Sequence, residues 1–300
     1  MKTYNFLLTF LLLSFVFTAC DKKDEPKQSG KETITAKWNT DGTNGYESFE
    51  FFADETYLIV KSGEGRLSES STTIFGTYQI DGNTITLSDF GKIVFSDLKD
   101  SSVTFTLTLT ETTDGAITFN LEKQPVVSTT SKTDLLCKTW IVTSYVYLEI
   151  NAETGEEIYS EVVEDVDAYV DSYRWTLTFN KSGTYMDREI EEEYGYDFIA
   201  WGNWIWKDNN ENEILLRYVN WENENAEQKF KVMELTKDKL VAHIEEEGED
   251  CHSSFNTCIK TIWKETITLR PYEGSQPKSA NLSKSAHPRS ERKGFSRIRR

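Results

Sequence analysis

The sequence predicts an all-β protein in which two small antiparallel barrels follow a signal peptide. Three observations predict this: short segments in which apolar and polar residues alternate, turn-forming residues between them, and one order of motifs that occurs twice. The alternation is clear at residues 48–51, 84–87, 103–109 and 175–179. A period of two residues is typical of strands with one buried and one solvated face.

Turn signals separate these segments, for example Asp81–Gly82–Asn83 and Lys181–Ser182–Gly183. The spacing leaves room for hairpins and none for crossover helices, so neighbouring strands should be antiparallel. Beyond the N-terminal segment, no stretch shows a long apolar period of 3.6 residues. We therefore expect little helix.

The N-terminal segment has the features of a lipoprotein signal. Lys2 precedes an apolar run at residues 6–17, which is short for a membrane span, and the small residues Thr18 and Ala19 lead to Cys20. This order resembles the lipobox of bacterial lipoproteins, which implies a signal peptide at 1–19 and acylation of Cys20, with palmitate as a marker. The alternative is a free thiol after an ordinary signal or membrane anchor.

Residues 20–31 are polar and predict a flexible tether. Asp24 and Glu25 resemble the surface-export signal of Bacteroidota-type lipoproteins, and the resemblance implies a protein of the cell outer membrane. The neighbouring lysines leave open whether the surface leaflet or the periplasmic leaflet holds it.

Length, composition and charge favour two ordinary domains. The 300 residues are 38% hydrophobic and 13% aromatic, which is enough for two cores, and the net charge is −17. Residues 272–300 are basic, poor in apolar residues and predicted to be disordered, so the rest of the chain is more acidic still. Such a body repels phosphate backbones, and we expect no nucleic-acid partner. The alternative is a functional tail that docks on nucleic acid, on lipopolysaccharide or on the acidic body of the protein.

Four matched elements define an internal repeat. Trp38 and Trp140 open the two units. The later pairs are residues 52–57 with 179–185, 76–80 with 202–206, and 95–103 with 232–240. The repeat predicts a first barrel at 32–123, an exposed linker at 124–133 and a second barrel at 134–271.

These motifs resemble the small lipocalin-like domains of Bacteroidota lipoproteins. The second unit carries the resemblance best, at Leu136 to Trp140, Phe179 to Tyr185, Gly202–Asn203–Trp204 and Leu235 to Leu240. The resemblance implies barrels of about eight strands, each with room for one small ligand or for packed side chains only.

Aromatic residues cluster in the second unit and supply the ligand-binding candidates. Stacking on sugar rings or lining a barrel mouth would suit them. We assign Trp204 to the core because the resemblance to lipocalin-like domains implies a structural position for it. The candidates are Trp201, Trp221, Trp206, Tyr196 and Tyr218.

Cys251 and Cys258 flank a hairpin loop, and an exported protein meets oxidising conditions, so we predict a disulfide between them. The alternative is a metal site formed by Cys251, His252 and Cys258, but such a site would lack a fourth ligand. Cys137 is expected to be a buried free thiol. The acidic runs at 189–193, at 245–250 and from Glu149 to Asp171 are interpreted as solvated charge.

Signatures of catalysis are missing from the sequence, which has three histidines and no nucleophile elbow, zinc or phosphate-loop motif. We expect a protein without catalysis, cofactor or metal that is anchored in the cell envelope and binds a glycan, a small apolar ligand or an envelope protein. A structural spacer with filled barrels is the alternative. A glycoside hydrolase that uses two of the many carboxylates ranks third.

Overall fold

The structure is a computed structural model that describes residues 34–62, 72–110, 115–166, 173–191, 195–219, 225–252 and 257–273. It confirms the predicted all-β class and the two tandem barrels. The signal peptide, Cys20, most of the tether and the basic tail lie outside the described residues. None of the helices in the described ranges has the length and apolar character that a membrane crossing requires.

The first barrel closes by pairing of its first and last strands, β1 and β8. A 3-10 turn, Thr43–Gly45, follows the first strand. The strands are β1 Lys37–Asn39, β2 Tyr46–Phe51, β3 Thr56–Lys61, β4 Thr72–Asp81, β5 Thr84–Leu87, β6 Gly91–Ser96, β7 Ser102–Leu109 and β8 Ile117–Lys123.

Aromatic and aliphatic side chains fill the interior of this barrel. Trp38, Phe49 and Phe105 are fully buried, and their rings meet edge to face, with centroids 5.8 Å apart for Phe49 and Phe105. Residues of this core are at most 7% exposed. These side chains form a closely packed aromatic core.

The second barrel is larger and closes by pairing of β9 with β17. Strand β10 forms a hairpin with β9 beside the closed ring. The strands are β9 Thr139–Asn151, β10 Glu157–Val163, β11 Tyr173–Phe179, β12 Thr184–Glu191, β13 Tyr196–Trp206, β14 Glu213–Val219, β15 Asn225–Leu235, β16 Leu240–His252 and β17 Thr257–Pro271.

The tryptophans that open the two repeats make the same contact in each barrel. The Trp38 Nε1–H donates to the carbonyl oxygen of Ile34 at 2.9 Å, and the Trp140 Nε1–H donates to that of Leu136 at 2.8 Å. Both indoles are fully buried. In each unit the indole therefore ties the incoming chain across one end of the barrel.

The link between the barrels ends in a short helix, α1, at Ser131–Leu136. Sequence analysis placed the start of this segment in an exposed linker. Thr130 caps the helix by accepting the N–H of Thr133. The Trp206 indole donates to the Thr133 hydroxyl at 2.8 Å, which fixes α1 over one end of the second barrel.

The two barrels contact each other through β2 to β4 of the first and β12 and β13 of the second. Phe52, Leu58, Phe75 and Met186 form a buried apolar cluster. At its edge the Glu50 carboxylate of the first barrel is 1% exposed. Its Oε1 accepts hydrogen bonds from second-barrel side chains, at 2.6 Å from Asn180 Nδ2 and at 2.5 Å from Ser182 Oγ.

Arg188 adds a buried charge at the same contact. Its guanidinium is 1% exposed, lies 4.9 Å from the ring centroid of Phe75 and donates to both carboxylate oxygens of Asp197 at 2.9 and 2.7 Å. The bidentate pair satisfies the charge within the second barrel. The outer face of β12 and β13 is therefore structural.

Candidate functional site

The inner face of the second barrel divides into an apolar half beside α1 and a polar half at the opposite end. Strand β12 shows the change along its length, since Tyr185 belongs to the core while Asp187, Glu189 and Glu191 follow on the same face. Their partners across the sheets share this face because directly paired residues point the same way. We call the polar part of the inner face the acidic half.

Carboxylates from four strands line the acidic half. The pairing of Trp175 with Glu189, of Trp263 with Glu149 and of Ile244 with Glu265 places these acids on the face of the core residues. Glu149 is fully buried and Glu191 is 2% exposed. The set consists of Glu149, Asp187, Glu189, Glu191, Glu246 and Glu265.

Aromatic side chains alternate with these acids around the wall. On β11, Trp175 donates its Nε1–H to Asp187 Oδ1 at 2.9 Å. On β9, Tyr147 lies opposite Glu265, and its ring centroid is 6.0 Å from that of Tyr159. The wall therefore combines π faces with negative charge.

Lysine and arginine side chains of the described strands lie on the other face. Arg217 and Lys264 have the parity opposite to that of the acidic half, and both form ion pairs on the outside, with Glu227 and Glu245. The other lysine and arginine residues in the strands of the second barrel also lie on the outer face. They are Arg174, Arg188, Lys229, Lys231, Lys260 and Arg270. The described inner wall therefore carries acids without a lysine or arginine.

Several side chains of the inner face at and near the acidic half are partly accessible to solvent. Asp187, Ala200, Tyr218, Glu246 and Trp263 face inward by their pairing and are only partly buried. The buried core residues of the two barrels are alike in exposure, at most 7% in the first and at most 8% in the second. Partial exposure shows that solvent reaches these inward side chains.

Burial changes the acid chemistry at this wall. Burial raises the pKa of Glu246, while the hydrogen bond from Gln228 Nε2 to its Oε1 at 3.0 Å opposes the rise. Glu246 therefore takes up a proton at a higher pH than an exposed glutamate does.

Two polar groups on β17 face the same space without a protein partner. The Thr261 hydroxyl and the Trp263 Nε1–H are buried and have no hydrogen-bond partner among the described residues. Thr261 is 1% exposed and pairs with Gly248 and Asn151. A buried polar group without a hydrogen-bond partner is expected where a ligand supplies that partner.

Gly248 makes room for the Trp263 indole. A Cβ at Gly248 would lie 2.4 Å from Trp263 Cη2, so any side chain there would displace the ring. The glycine thus allows the indole to lie across β16, and a larger residue would change the shape of the acidic half.

Metal binding has no geometric support at this wall. Within the described ranges, no group of three or more histidine, cysteine, aspartate or glutamate side chains is arranged to hold a metal ion.

The predicted ligand residues are distributed over different parts of the second barrel. Trp201 faces outward and packs against the cluster between the barrels. Trp206 packs against the core at the α1 end, and Tyr218 faces inward beside Gly202. Trp204 is fully buried, in agreement with its assignment to the core.

Two further candidates carry less structural information. Tyr196 pairs with Glu191 through its backbone at the far end of β12, and nothing is described of its side chain. Trp221 lies outside the described residues. Of the five candidates, only Tyr218 has a described side chain at the acidic half.

The cysteines follow the strand register. Cys251 and Cys258 are directly paired on β16 and β17, and the structure describes their backbone. Cys137 is a free thiol that packs against the core, and burial raises its pKa to about 12.

The interpretation of the acidic runs as solvated charge is wrong at three buried positions. Glu149, Glu189 and Glu191 are 0%, 6% and 2% exposed. Strand parity turns alternate acids inward, and only the outward ones, such as Glu245 and Glu247, are solvated. The signal that reveals them is the spacing of two residues from core aromatics, as in Tyr145, Tyr147 and Glu149.

A second concave feature lies between the barrels. This cleft of about 470 Å³ is lined by both repeats, including Asp54, Glu55, Lys138 and Asn180. The Thr139 hydroxyl donates to Asp54 Oδ2 at 2.9 Å within it. Its charges have both signs and belong to the contact between the barrels, so it is a groove of the interface.

Comparison with protein-family models finds no match, and neither does comparison with curated proteins. Among solved structures, a lipocalin-like protein from Bacteroides uniformis is 21% identical, with a TM-score of 0.27. The match covers 46% of this chain and 98% of that one.

Transferrin-binding protein B from serogroup B Neisseria meningitidis is 8% identical, with a TM-score of 0.27, and the match covers 79% of this chain and 43% of that one. A double mutant of transferrin-binding protein B from Haemophilus parasuis is 9% identical at a TM-score of 0.27, with coverage of 75% and 54%. The fold is assigned from the strand pairing of this chain, which spans about half the length of these two proteins.

Proposed function

We propose that the chain is a lipid-anchored protein of the cell envelope that binds a small molecule inside its second barrel, without catalysis. The observation that carries the proposal is the acidic half, where charged and aromatic side chains face a solvent-accessible interior. Burying carboxylates costs folding free energy unless they are compensated. A cluster of buried carboxylates beside aromatic side chains is typical of a binding site and unusual for a spacer.

The side chains inside the two barrels differ, and this difference supports a structural role for the first barrel and a binding role for the second. The first barrel has a filled aromatic core, which suits a structural unit that holds the second barrel through Glu50 and the buried cluster around Phe75. The alternative of a spacer therefore describes the first barrel well. The inward carboxylates beside Trp175 and Trp263 distinguish the second.

Anchoring is proposed from the sequence, because Cys20 resembles a lipobox cysteine. The anchor would hold the barrels at a membrane surface, where a binding protein meets molecules that enter or leave the cell. The outer membrane is the proposed location.

The experiment is a thermal-shift and calorimetric titration of the full chain in detergent with four probes. These are choline and putrescine as organic cations, methyl glucoside as a neutral sugar, and palmitate as an apolar acid. Binding of at least one probe is expected to raise the melting temperature. If none of the four changes the melting temperature or gives a binding isotherm, the proposal is overturned.

Two variants on β13 locate the site. Ala200→Trp places a large ring on the partly buried inner wall, opposite Asp187, and should abolish binding. Ile205→Trp is the matched control on the outer face, where Ile205 is 39% exposed, and should bind as the wild type does. Binding that survives Ala200→Trp with unchanged affinity would exclude the interior. Release of glucose from methyl glucoside would contradict a role without catalysis.

A further inference from the structure

We infer that the ligand of the second barrel is a small organic ammonium ion, bound between the carboxylates and the aromatic rings of the acidic half. The inference rests on the proposed function and names the chemical class of its ligand. Such a ligand carries a net positive charge, is small enough to fit within one barrel, and has groups that form hydrogen bonds with the wall.

The first step is charge. Glu149, Glu191 and Glu265 are at most 5% exposed and lie on the inner face. The lysine and arginine residues in the described strands of the second barrel lie on the outer face, so acidic side chains outnumber these basic ones on the described inner wall. Carboxylates that are shielded from water interact strongly with a positive charge placed among them. A positively charged ligand is therefore favoured over a neutral or anionic one at this wall.

The second step is the aromatic lining. Trp263 lies next to Glu149 in the strand register, and Trp175 lies next to Glu189. A cation over the face of a tryptophan or tyrosine is attracted by the negative π face, and aromatic walls are a recurrent way to hold quaternary ammonium groups. The same rings bury the carbon atoms of the ligand. This combination favours an organic cation over a hydrated metal ion, in line with the lack of a described metal-binding group.

The third step is an observation independent of the acids. The Thr261 hydroxyl is 1% exposed, lies on the inner face opposite Gly248 and has no hydrogen-bond partner among the described residues. A buried hydroxyl without a partner costs folding free energy. A ligand that carries an N–H or O–H group would satisfy it, as protonated amines and choline do.

The test compares choline with its neutral isostere 3,3-dimethylbutan-1-ol, in which carbon replaces the quaternary nitrogen. Shape and hydroxyl are the same, so a difference in affinity reports the charge. We expect choline or putrescine to bind and the isostere to bind at least about tenfold more weakly. Equal affinity for choline and the isostere, or no binding of either cation, would overturn the inference.

Two glutamine variants test the wall. Glu149→Gln removes one buried inner charge and should weaken choline binding about tenfold while leaving the weak binding of the isostere unchanged. Glu247→Gln is the matched control, because Glu247 is exposed on the outer face of β16, and it should bind as the wild type does. Equal effects of the two variants would contradict the inference.

The outcomes separate this inference from the proposed function. Binding of methyl glucoside or palmitate that Ala200→Trp abolishes, without binding of either cation, would leave the binding function in place and refute the ammonium ligand. If none of the probes binds to the wild-type chain, both the proposed binding function and the ammonium ligand are refuted. If Glu149→Gln does not fold, the comparison of choline with its isostere on the wild-type chain still decides.

Discussion

Glu149 of β9 lies directly opposite Trp263 of β17, at the junction where the second barrel closes. The carboxylate is fully buried, and the indole is partly exposed to the interior. Closure of the barrel thus places a negative charge and a π face side by side on one wall. Charge and aromatic surface of this kind are expected where a cationic molecule binds.

Glu50 should make the stability of the protein depend on pH. Burial raises the pKa of Glu50, and the charge of Lys37 and the hydrogen bonds from Ser182 and Asn180 oppose the rise only in part. A carboxyl whose pKa is higher in the folded state stabilises the protein below its unfolded pKa. That contribution is lost as the pH rises through the folded pKa.

Glu50→Gln should therefore stabilise the chain at pH 7.5 relative to the wild type, by about 1–3 kcal/mol, with a much smaller difference at pH 4. The amide keeps an oxygen for Asn180 and Ser182. Melting temperatures at the two pH values measure the difference. Glu47→Gln, at an exposed position of the same strand, is the control. Lower stability of Glu50→Gln at pH 7.5 would contradict the assignment.

Cys251 and Cys258 should form a disulfide in the exported protein. Directly paired residues of antiparallel strands have Cα atoms about 4.5–5.5 Å apart, within the range that a disulfide spans. The bond should stabilise the barrel by about 2.5 kcal/mol through the short loop it closes. Alkylation after unfolding without reductant, followed by peptide mapping, is the measurement. Cys137 should be labelled and the pair should not; labelling of all three would exclude the bond.

Cys20 should carry the lipid. Cells fed radiolabelled palmitate should incorporate label into the wild-type chain and into a Cys137→Ala control, and the Cys20→Ala variant should lose it. The labelled chain should sediment with membranes, and the variant should appear in the soluble envelope fraction. Equal labelling of Cys20→Ala would rule out the anchor.

Much of the fold is predictable from the sequence because turn chemistry and strand alternation are local. Trp38 and Trp140 indicate the repeat, and the structure gives them the same indole-to-carbonyl hydrogen bond four residues back along the chain. The tandem barrels follow from this repeat. Helix α1 is harder to predict, because its position depends on Trp206 and Thr133, which are distant in sequence.

The acidic half is not evident from composition, because a run such as Glu189–Ile190–Glu191 looks like solvated charge. Its orientation depends on register, which barrel closure sets, and a shift of one residue would exchange the two faces. The orientation of Trp201 is likewise not predictable from the local sequence. Its parity directs it toward Phe52 and Phe75 of the first barrel, a contact that no local pattern indicates.

The indole N–H resonances of the eight tryptophans test the central claim most directly. In ¹⁵N-labelled full-length chain, titration with choline, putrescine, methyl glucoside and palmitate should include at least one probe that shifts the Trp263 and Trp175 signals. The Trp38 signal, from the filled first barrel, should not move. Shifts confined to Trp38 or Trp201, or no shift of Trp263 and Trp175 with any of the four probes, would contradict a ligand site inside the second barrel.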